Sequence, residues 1–199
     1  ADESDKSFTY LSPAAAIVTN IEADHLDHYE GLEEIYAQFA AFLSGVREGG
    51  PIVVCGDDPK LVEVARGTGR TVTTYGFSEG CDARILATEA QGVGTRFTLR
   101  LPDGRVVTGK TGNLLGAASA LLRNALKGVS GVDDELYVIS DDVLEPICHL
   151  KTAHLRSHNP RLHSDETLLA LSISSVHNPL AERLIDNCLL YTSDAADDR

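Results

Sequence analysis

The feature that most constrains the fold is an alternation of short apolar runs and amphipathic stretches between residues 15 and 76. Apolar runs that predict buried strands alternate with stretches that predict helices, in the order 15–18, 31–47, 51–55, 59–66 and 71–76. In the first helix apolar residues recur at three- and four-residue intervals, and the second helix opens with a proline. Strands that alternate with helices predict a parallel sheet.

The pattern changes after residue 83. Two runs of alternating polarity, 95–101 and 105–107, are joined by Pro102-Asp103-Gly104. An Asp-Gly pair between alternating runs is a strong signal for a β-hairpin. We therefore expect an α/β fold: an incomplete parallel sheet with flanking helices plus an antiparallel β-ribbon, followed by a mainly helical α/β second half.

The composition narrows the possible partners. Among the 199 residues, 17 are basic and 30 are acidic, which gives a formal net charge of -13. Nucleic acid and anionic membranes would repel such a chain, so neither is expected as a partner. No apolar stretch approaches the roughly 20 residues of a membrane span, and no signal peptide opens the chain. We expect a cytoplasmic protein with reduced cysteines and, since methionine is absent, an internal fragment.

Side chains that can bind a metal are concentrated between Thr19 and His28, directly after the first apolar run. This position predicts the carboxyl end of a strand, where open α/β sheets bind ligands. Carboxylate oxygens from Glu22, Asp24 and Asp27 suit a hard ion such as magnesium, and one imidazole is compatible with that set. In the alternative interpretation, Asp24 and Asp27 cap the following helix and the histidines are solvated.

Four motifs occur in a fixed order within residues 1 to 108: ADESDKSF, TNIEADHLDHY, VVCGDDP and TYGFSEG. Together they resemble the central, ATP-binding domain of the Mur ligase family, most closely the branch that joins L-alanine to UDP-N-acetylmuramate. The resemblance implies an ATP- and magnesium-dependent ligase of peptidoglycan precursor synthesis. Its substrates would be an amino acid and a nucleotide-sugar carboxylate, which react through an acyl phosphate.

The resemblance also implies roles for particular residues. The histidine of the DH motif binds magnesium in this family and corresponds to His25, with Glu22 and Asp24 as weaker candidates nearby. Four residues near the start would lie beside the nucleotide-sugar substrate: Glu3, Ser4, Asp5 and Ser7.

Other parts of the family pattern do not match. The family's phosphate loop and second magnesium ligand would precede Ala1, and the His-Asn pair that contacts adenine has no counterpart in 111–116. We therefore assign no catalytic residue and expect this chain to be inactive.

The second half resembles a different family. Residues 109 to 187 are similar to the carboxyl-terminal part of an uncharacterised bacterial family, and 188–199 look like translated adapter sequence. The predicted domains are therefore 1–108, 109–187 and a disordered, artefactual tail at 188–199. The second half could belong to a binding or structural protein, and the joined chain could also be a chimera without a function of its own.

One further motif matches a nucleotide-binding pattern literally. Residues 104–111 fit G-x-x-x-x-G-K-[ST], which would make Gly109, Lys110 and Thr111 phosphate-binding residues. However, Gly104 belongs to the predicted Asp-Gly turn and the β-branched pair 106–107 continues a strand. We interpret the match as spurious.

A cluster of histidines follows in the second half. His154 and His158 are four residues apart and could share a helical face, although Pro160 interrupts any helix toward His163. The spacing is a weak signal for zinc. A solvated polar loop, or a basic surface that includes Lys151, is the favoured interpretation.

Overall fold

The computed structural model describes residues 4–23 and 27–193, the last five of them by their backbone alone. The described chain has the predicted α/β class. It divides into two compact units, the first extending to Arg84 and the second beginning at Ile85. This division lies earlier in the chain than the domain boundary predicted at residue 108.

The first unit contains the predicted alternation of strands and helices. Its parallel strands pair in chain order, with Ile17 opposite Val53 and Val53 opposite Thr73. The elements are β1 (Ala16–Val18), α1 (Leu32–Ser44), β2 (Ile52–Cys55), α2 (Pro59–Gly67) and β3 (Val72–Gly76).

The core of the first unit lies between this sheet and its helices. Ile52 and Val54 of β2 are fully buried, and they pack with Leu43 of α1 and Leu61 of α2. The apolar positions that predicted the elements are therefore the positions that form the core.

The second unit contains the ribbon and the remaining helices. Strand β4 (Ala83–Gln91) pairs parallel with β3 through its first two residues, which belong to the first unit. The rest of β4 and all later elements belong to the second unit. These later elements are β5 (Gly94–Arg100), β6 (Val106–Lys110), α3 (Ala117–Ser130), α4 (Asp141–His149), α5 (Ser164–Ser175) and α6 (Pro179–Ser193). A π-helical turn, Leu150–His154, continues α4.

The predicted hairpin is confirmed. Strands β5 and β6 are antiparallel, with Leu99 opposite Val107. The backbone N–H of Leu101 donates to the carbonyl of Arg105 at 2.8 Å, and Gly104 has a φ of 87°. A positive φ of this size suits glycine, which explains the Asp-Gly pair.

Helix α3 packs directly on β6. A Cβ at Gly109 would lie 2.3 Å from the carbonyl oxygen of Ala117 and 2.4 Å from the nitrogen of Leu121, so only glycine fits between the two elements. Asn124 of α3 donates to the carbonyl of Thr108 at 2.8 Å. Residues 105–111 span the boundary predicted at residue 108. They therefore pack within the second unit.

The second unit has its own core, in which the last helix takes part. Leu162, Leu171 and Leu184 are fully buried, and Cys188 packs against this cluster. The backbone of 188–193, the first part of the segment predicted as a disordered tail, continues α6, and 194–199 lie outside the described residues. Within the described ranges, no helix is both long and apolar enough to cross a membrane.

Candidate functional site

The carboxyl end of β1 carries the first group of candidate ligands. The hydroxyl of Thr19 donates to Oδ1 of Asn20 at 2.9 Å, and Nδ2 of Asn20 donates to Oε1 of Glu22 at 2.9 Å. All three side chains are exposed. The amide therefore orients the Glu22 carboxylate at the sheet edge and leaves its second oxygen open to solvent.

The described members of this donor set do not form a metal site by themselves. Asp24 and His25 lie outside the described residues, and Asp27 pairs with its neighbour His28 at 3.3 Å. Among the residues that the structure describes, no three His, Cys, Asp or Glu side chains converge on one point. The oxygens of Glu22 and Asp27 suit magnesium chemically, but the described part of the loop does not enclose an ion.

The alternative interpretation, that an aspartate caps the following helix, is wrong for Asp27. The residue at the N-cap of α1 is Gly31, which supplies no side-chain cap. Glu34 occupies the first turn instead, and its carboxylate accepts the backbone N–H of Glu30 at 2.7 Å. Capping therefore does not explain the acid at position 27.

The segment 4–7 is held beside the same loop. The ammonium of Lys6 contacts the Glu34 carboxylate at 2.6 Å and lies 4.8 Å from the centre of the Tyr29 ring. Behind it, Phe8 packs against Phe39 and Phe42, with ring centroids 5.0 and 5.4 Å apart. These contacts place the predicted substrate segment next to Tyr29, the residue that follows His28.

Within this segment the polar groups are organised locally. The Oδ1 atom of Asp5 accepts the backbone N–H of Ser7 at 2.9 Å. Hydrogen bonds from the Ser7 side chain and backbone lower the pKa of Asp5 below its ordinary value, so this carboxylate is charged at neutral pH. Asp5 and Ser7 are therefore joined to each other, whereas Glu3 lies outside the described residues, and the substrate role of Ser4, Asp5 and Ser7 stays a prediction.

A carboxylate clamp joins the ends of β2 and β3. Oδ1 of Asp57 accepts the Ser78 hydroxyl at 2.6 Å and its backbone N–H at 2.8 Å, and Oδ2 accepts the N–H of Phe77 at 2.8 Å. The Ser78 hydroxyl bond is the main cause of the lowered pKa of Asp57. A Cβ at Gly76 would lie 2.6 Å from this carboxylate, which explains the glycine.

The next aspartate caps a helix. Oδ1 of Asp58 accepts the backbone N–H groups of Lys60 and Leu61, each at 3.0 Å, at the start of α2. Its Oδ2 accepts the hydroxyl of Tyr36 at 3.1 Å. The Asp57-Asp58 pair therefore fixes turns at the sheet edge.

The residues that match the phosphate-loop motif do not form a loop before a helix. Gly109 and Lys110 form the end of β6, an antiparallel strand. The hydroxyl of Thr111 accepts the N–H of Thr95 at 3.0 Å and donates to its carbonyl at 3.2 Å. In a phosphate loop these residues would instead form a turn between a strand and a helix N-terminus.

The histidines do not share a helical face. The π-helical turn ends at His154, and the backbone becomes left-handed at Arg156, so His158 follows in a loop. His154 contacts His149 instead, with ring centroids 5.5 Å apart. The helix predicted to align His154 with His158 ends too early to do so.

Sequence reasoning missed a buried ion pair in this region. Lys151, interpreted as part of a basic surface, is buried, and its ammonium lies 2.7 Å from Glu166 and 2.8 Å from the carbonyl of Arg161. Burial acts to raise the pKa of Glu166, but its bonds to Lys151 and to the N–H of His163 leave the pKa lowered. The spacing of His163 and Glu166, which form a capping box at α5, is the one local signal for this structure.

The fold and the position of the polar loops indicate a class of protein. The first unit is a parallel α/β domain whose polar loops lie at the carboxyl ends of its strands, the edge where such domains bind ligands. The chain belongs to the Mur ligase family, since the Mur ligase middle domain matches residues 2–128. It also belongs to the family described as domain of unknown function DUF1846, C-terminal, which matches residues 79–192. The Mur ligase match continues beyond residue 108, and both matches include the ribbon and much of α3.

Individual relatives reflect both families. A UPF0371 protein of Corynebacterium aurimucosum is 50% identical over 104 residues, which cover 52% of this chain and 20% of that protein. A UDP-N-acetylmuramate--L-alanine ligase of Thermobifida fusca is 44% identical over 147 residues, covering 69% of this chain and 30% of that protein. The chain therefore spans less than a third of either relative.

Solved structures of Mur ligases are also similar. MurF from Acinetobacter baumannii has 20% identity and a TM-score of 0.45, over 66% of this chain and 29% of that chain. MurF ligase from Thermotoga maritima, in complex with ADP, has 17% identity and a TM-score of 0.46, over 86% of this chain and 51% of that chain.

Proposed function

We propose that the first unit is part of an ATP-dependent ligase that joins L-alanine to UDP-N-acetylmuramate in peptidoglycan precursor synthesis. The relative from Thermobifida fusca carries the name of this activity. The observation that carries the proposal is the anchoring of segment 4–7 against Tyr29 and Glu34. It supports the proposal because it fixes the segment of the substrate candidates beside Tyr29, the residue that follows the run in which the sequence predicts the metal ligands.

Each group in the proposed site has a role that its chemistry supports. Ser4, Asp5 and Ser7 would position the nucleotide-sugar, and Lys6 fixes the segment by its bond to Glu34. The imidazole of His25 would hold magnesium, together with the carboxylate oxygens of Glu22 and Asp24. When bound, the metal spreads the negative charge of the transferring phosphoryl group.

We further propose that this chain does not turn over ATP by itself. The segment 111–116 lacks the His-Asn pair that the family resemblance implies for adenine, and Lys110 lies in β6. Phosphoryl transfer depends almost wholly on positioning and charge stabilisation, so a nucleotide that is not held does not react. A coupled assay with ATP, magnesium, L-alanine and UDP-N-acetylmuramate should remain at background. Any turnover above background would contradict this, and its loss in Lys110→Ala would assign it to the motif at 104–111.

The metal role has its own test. Manganese, a spectroscopic substitute for magnesium, is titrated into the chain and free ion is measured by electron paramagnetic resonance. His25→Ala should weaken binding about tenfold or more, the range found when a ligand or its support is removed. His177→Ala, which removes an exposed histidine of the second unit, is the matched control and should bind as the unmodified chain does. Equal effects of the two variants, or no binding to the unmodified chain, would overturn the assignment.

A further inference from the structure

A cavity of about 300 Å³ lies wholly within the second unit, away from the groups assigned to the ligase. Its walls come from α3, the start of α4 and the loop between them. The volume falls at the lower end of the range for small-molecule pockets. Leu115 and Leu144 contribute apolar surface, whereas Arg123, Lys127, Asp134 and Glu135 contribute charges of both signs.

The guanidinium of Arg123 is held in place but is not neutralised. Its Nε and one terminal nitrogen donate to Oδ1 of Asn124 at 3.2 and 3.1 Å, and Asn124 is in turn fixed to the carbonyl of Thr108. No described residue accepts a hydrogen bond from the other terminal nitrogen, and no described carboxylate forms an ion pair with the group. Asp134 acts on this guanidinium only from beyond ion-pair distance. A half-buried, positioned guanidinium with an open terminal nitrogen is a natural receptor for a carboxylate, which it can bind with two parallel bonds.

Lys127 supports the same end of the cavity. Its ammonium donates to the carbonyls of Asp134 and Leu136 at 2.8 and 2.5 Å, which fixes the loop that forms one wall. Burial lowers the pKa of Arg123 and is also the main cause of the lowered pKa of Lys127. Asp134 acts to raise both pKa values, but burial outweighs it. Both cationic groups have therefore lost water and would gain from a bound anion.

The opposite charge is present at the exposed rim. Asp134 and Glu135 line the cavity, and neither carboxylate forms an ion pair with a described residue. Two cations and two carboxylates leave the lining without net charge, which disfavours a phosphate or another multiply charged anion. A ligand with one negative and one positive end would satisfy both groups.

We propose that this cavity binds a small apolar α-amino acid. Its carboxylate would lie on Arg123, its ammonium group on Asp134 and Glu135, and its side chain against Leu115 and Leu144. The binding of a zwitterion requires no change in the net charge of the cavity, and the apolar wall selects the side chain.

Calorimetric titration of the unmodified chain tests the charge pattern directly. L-leucine is compared with isocaproate, which lacks the ammonium group, and with L-leucinamide, which lacks the carboxylate. L-leucine should bind saturably, and each analogue should bind at least about tenfold more weakly because one buried charged bond is lost. Equal binding of either analogue, stronger binding of inorganic phosphate, or no saturable binding of L-leucine would overturn the proposal.

Variants test the residue assignment. Arg123→Gln should weaken L-leucine binding at least about tenfold, and Arg123→Lys should fall between it and the unmodified chain because it keeps the charge but loses the planar fork. Arg66→Gln, which removes an exposed arginine from α2, is the matched control and should change nothing. Circular dichroism establishes that each variant is folded. A folded Arg123→Gln protein with unchanged affinity would contradict the assignment, and the analogue comparison holds without any variant.

Discussion

The two units fix their loops with side chains of opposite charge. In the first unit, Asp57 accepts hydrogen bonds from backbone N–H groups after β3, and Asp58 accepts them from the first turn of α2. In the second unit, the buried Lys127 and Lys151 donate to backbone carbonyls. Asp57 is exposed and Asp58 is half-buried, whereas the two lysines lie in the protein interior. The same number of hydrogen bonds should therefore contribute more stability in the second unit, because an unpaired buried group costs more than an unpaired exposed one.

The largest effect is expected at Lys151. Lys151→Met keeps the length of the side chain but leaves Glu166 without its cation and the carbonyl of Arg161 without a donor. The free energy of unfolding of the second unit should fall by about 3 kcal/mol, the lower end for a broken buried pair because Glu166 is partly exposed. Urea denaturation followed by circular dichroism measures this.

Lys60→Met is the matched control for that change. Lys60 lies 3.8 Å from Glu33 and 3.9 Å from Glu63, and these pairs are exposed. Its loss should cost less than about 0.5 kcal/mol. If the two lysine variants changed the free energy of unfolding by similar amounts, a buried ion pair would not stabilise this protein more than an exposed one.

The second effect concerns the packing of α3 on β6. Gly109→Ala introduces a Cβ against the backbone of Ala117 and Leu121, and should destabilise the second unit by about 2 kcal/mol. Gly80→Ala, where the new methyl group meets nothing within 4 Å, should change stability by less than about 0.5 kcal/mol. A harmless Gly109→Ala would indicate that the two elements are not closely packed.

A smaller effect is expected at the hydroxyl of Tyr36. Tyr36→Phe removes the bond to Asp58 and should lower the free energy of unfolding of the first unit by about 1 kcal/mol. Tyr10→Phe changes a hydroxyl on a side chain that is 89% exposed and should have no measurable effect. Thermal denaturation compares the two variants side by side. An equal shift in Tm would mean that the hydrogen bond between Tyr36 and Asp58 does not stabilise the first unit.

The smallest effect, and one that depends on pH, is expected for Asp57→Asn. Because the pKa of Asp57 lies below its ordinary value of 3.8 in the folded protein, its stabilisation is complete above that value and is lost as the pH falls through the lowered pKa. The variant should be less stable than the unmodified chain at pH 7, by less than about 1 kcal/mol since the group is solvated. It should also lose less stability on acidification below pH 3.8.

Glu48→Gln, an exposed carboxylate, is the control for acidification. Urea midpoints measured from neutral pH down to acid give the slopes. A slope for Asp57→Asn that matches the unmodified chain would show that the clamp does not depend on the charge of Asp57.

Local pattern predicted much of the fold. Helix α1 was expected within 31–47 and occupies Leu32–Ser44, and the Asp-Gly hairpin is where the alternation of residues 95–107 placed it. Both depend on periodicity and turn chemistry that a short stretch of sequence contains.

Contacts between distant residues could not be predicted in this way. The N–H of Leu162 donates to the carbonyl of Leu114 at 2.8 Å, and the hydroxyl of Ser119 donates to the carbonyl of Leu162 at 2.7 Å. The burial of Lys151 depends on this packing, and its own sequence neighbourhood, rich in histidine and arginine, gives no sign of it. The roles of Asp24 and His25 stay predictions, since they lie outside the described residues.

Hydrogen exchange measured by mass spectrometry in increasing urea tests the central claim, that residues 105–111 belong to the second unit. Backbone amides of β6 should exchange with the same opening free energy as those of α3, and both should shift together in Lys151→Met, while those of β2 stay unchanged. If β6 instead opened alone, or shifted with β2 in Asp57→Asn and not with α3, the boundary would lie at residue 108 and the account of the two units would be wrong.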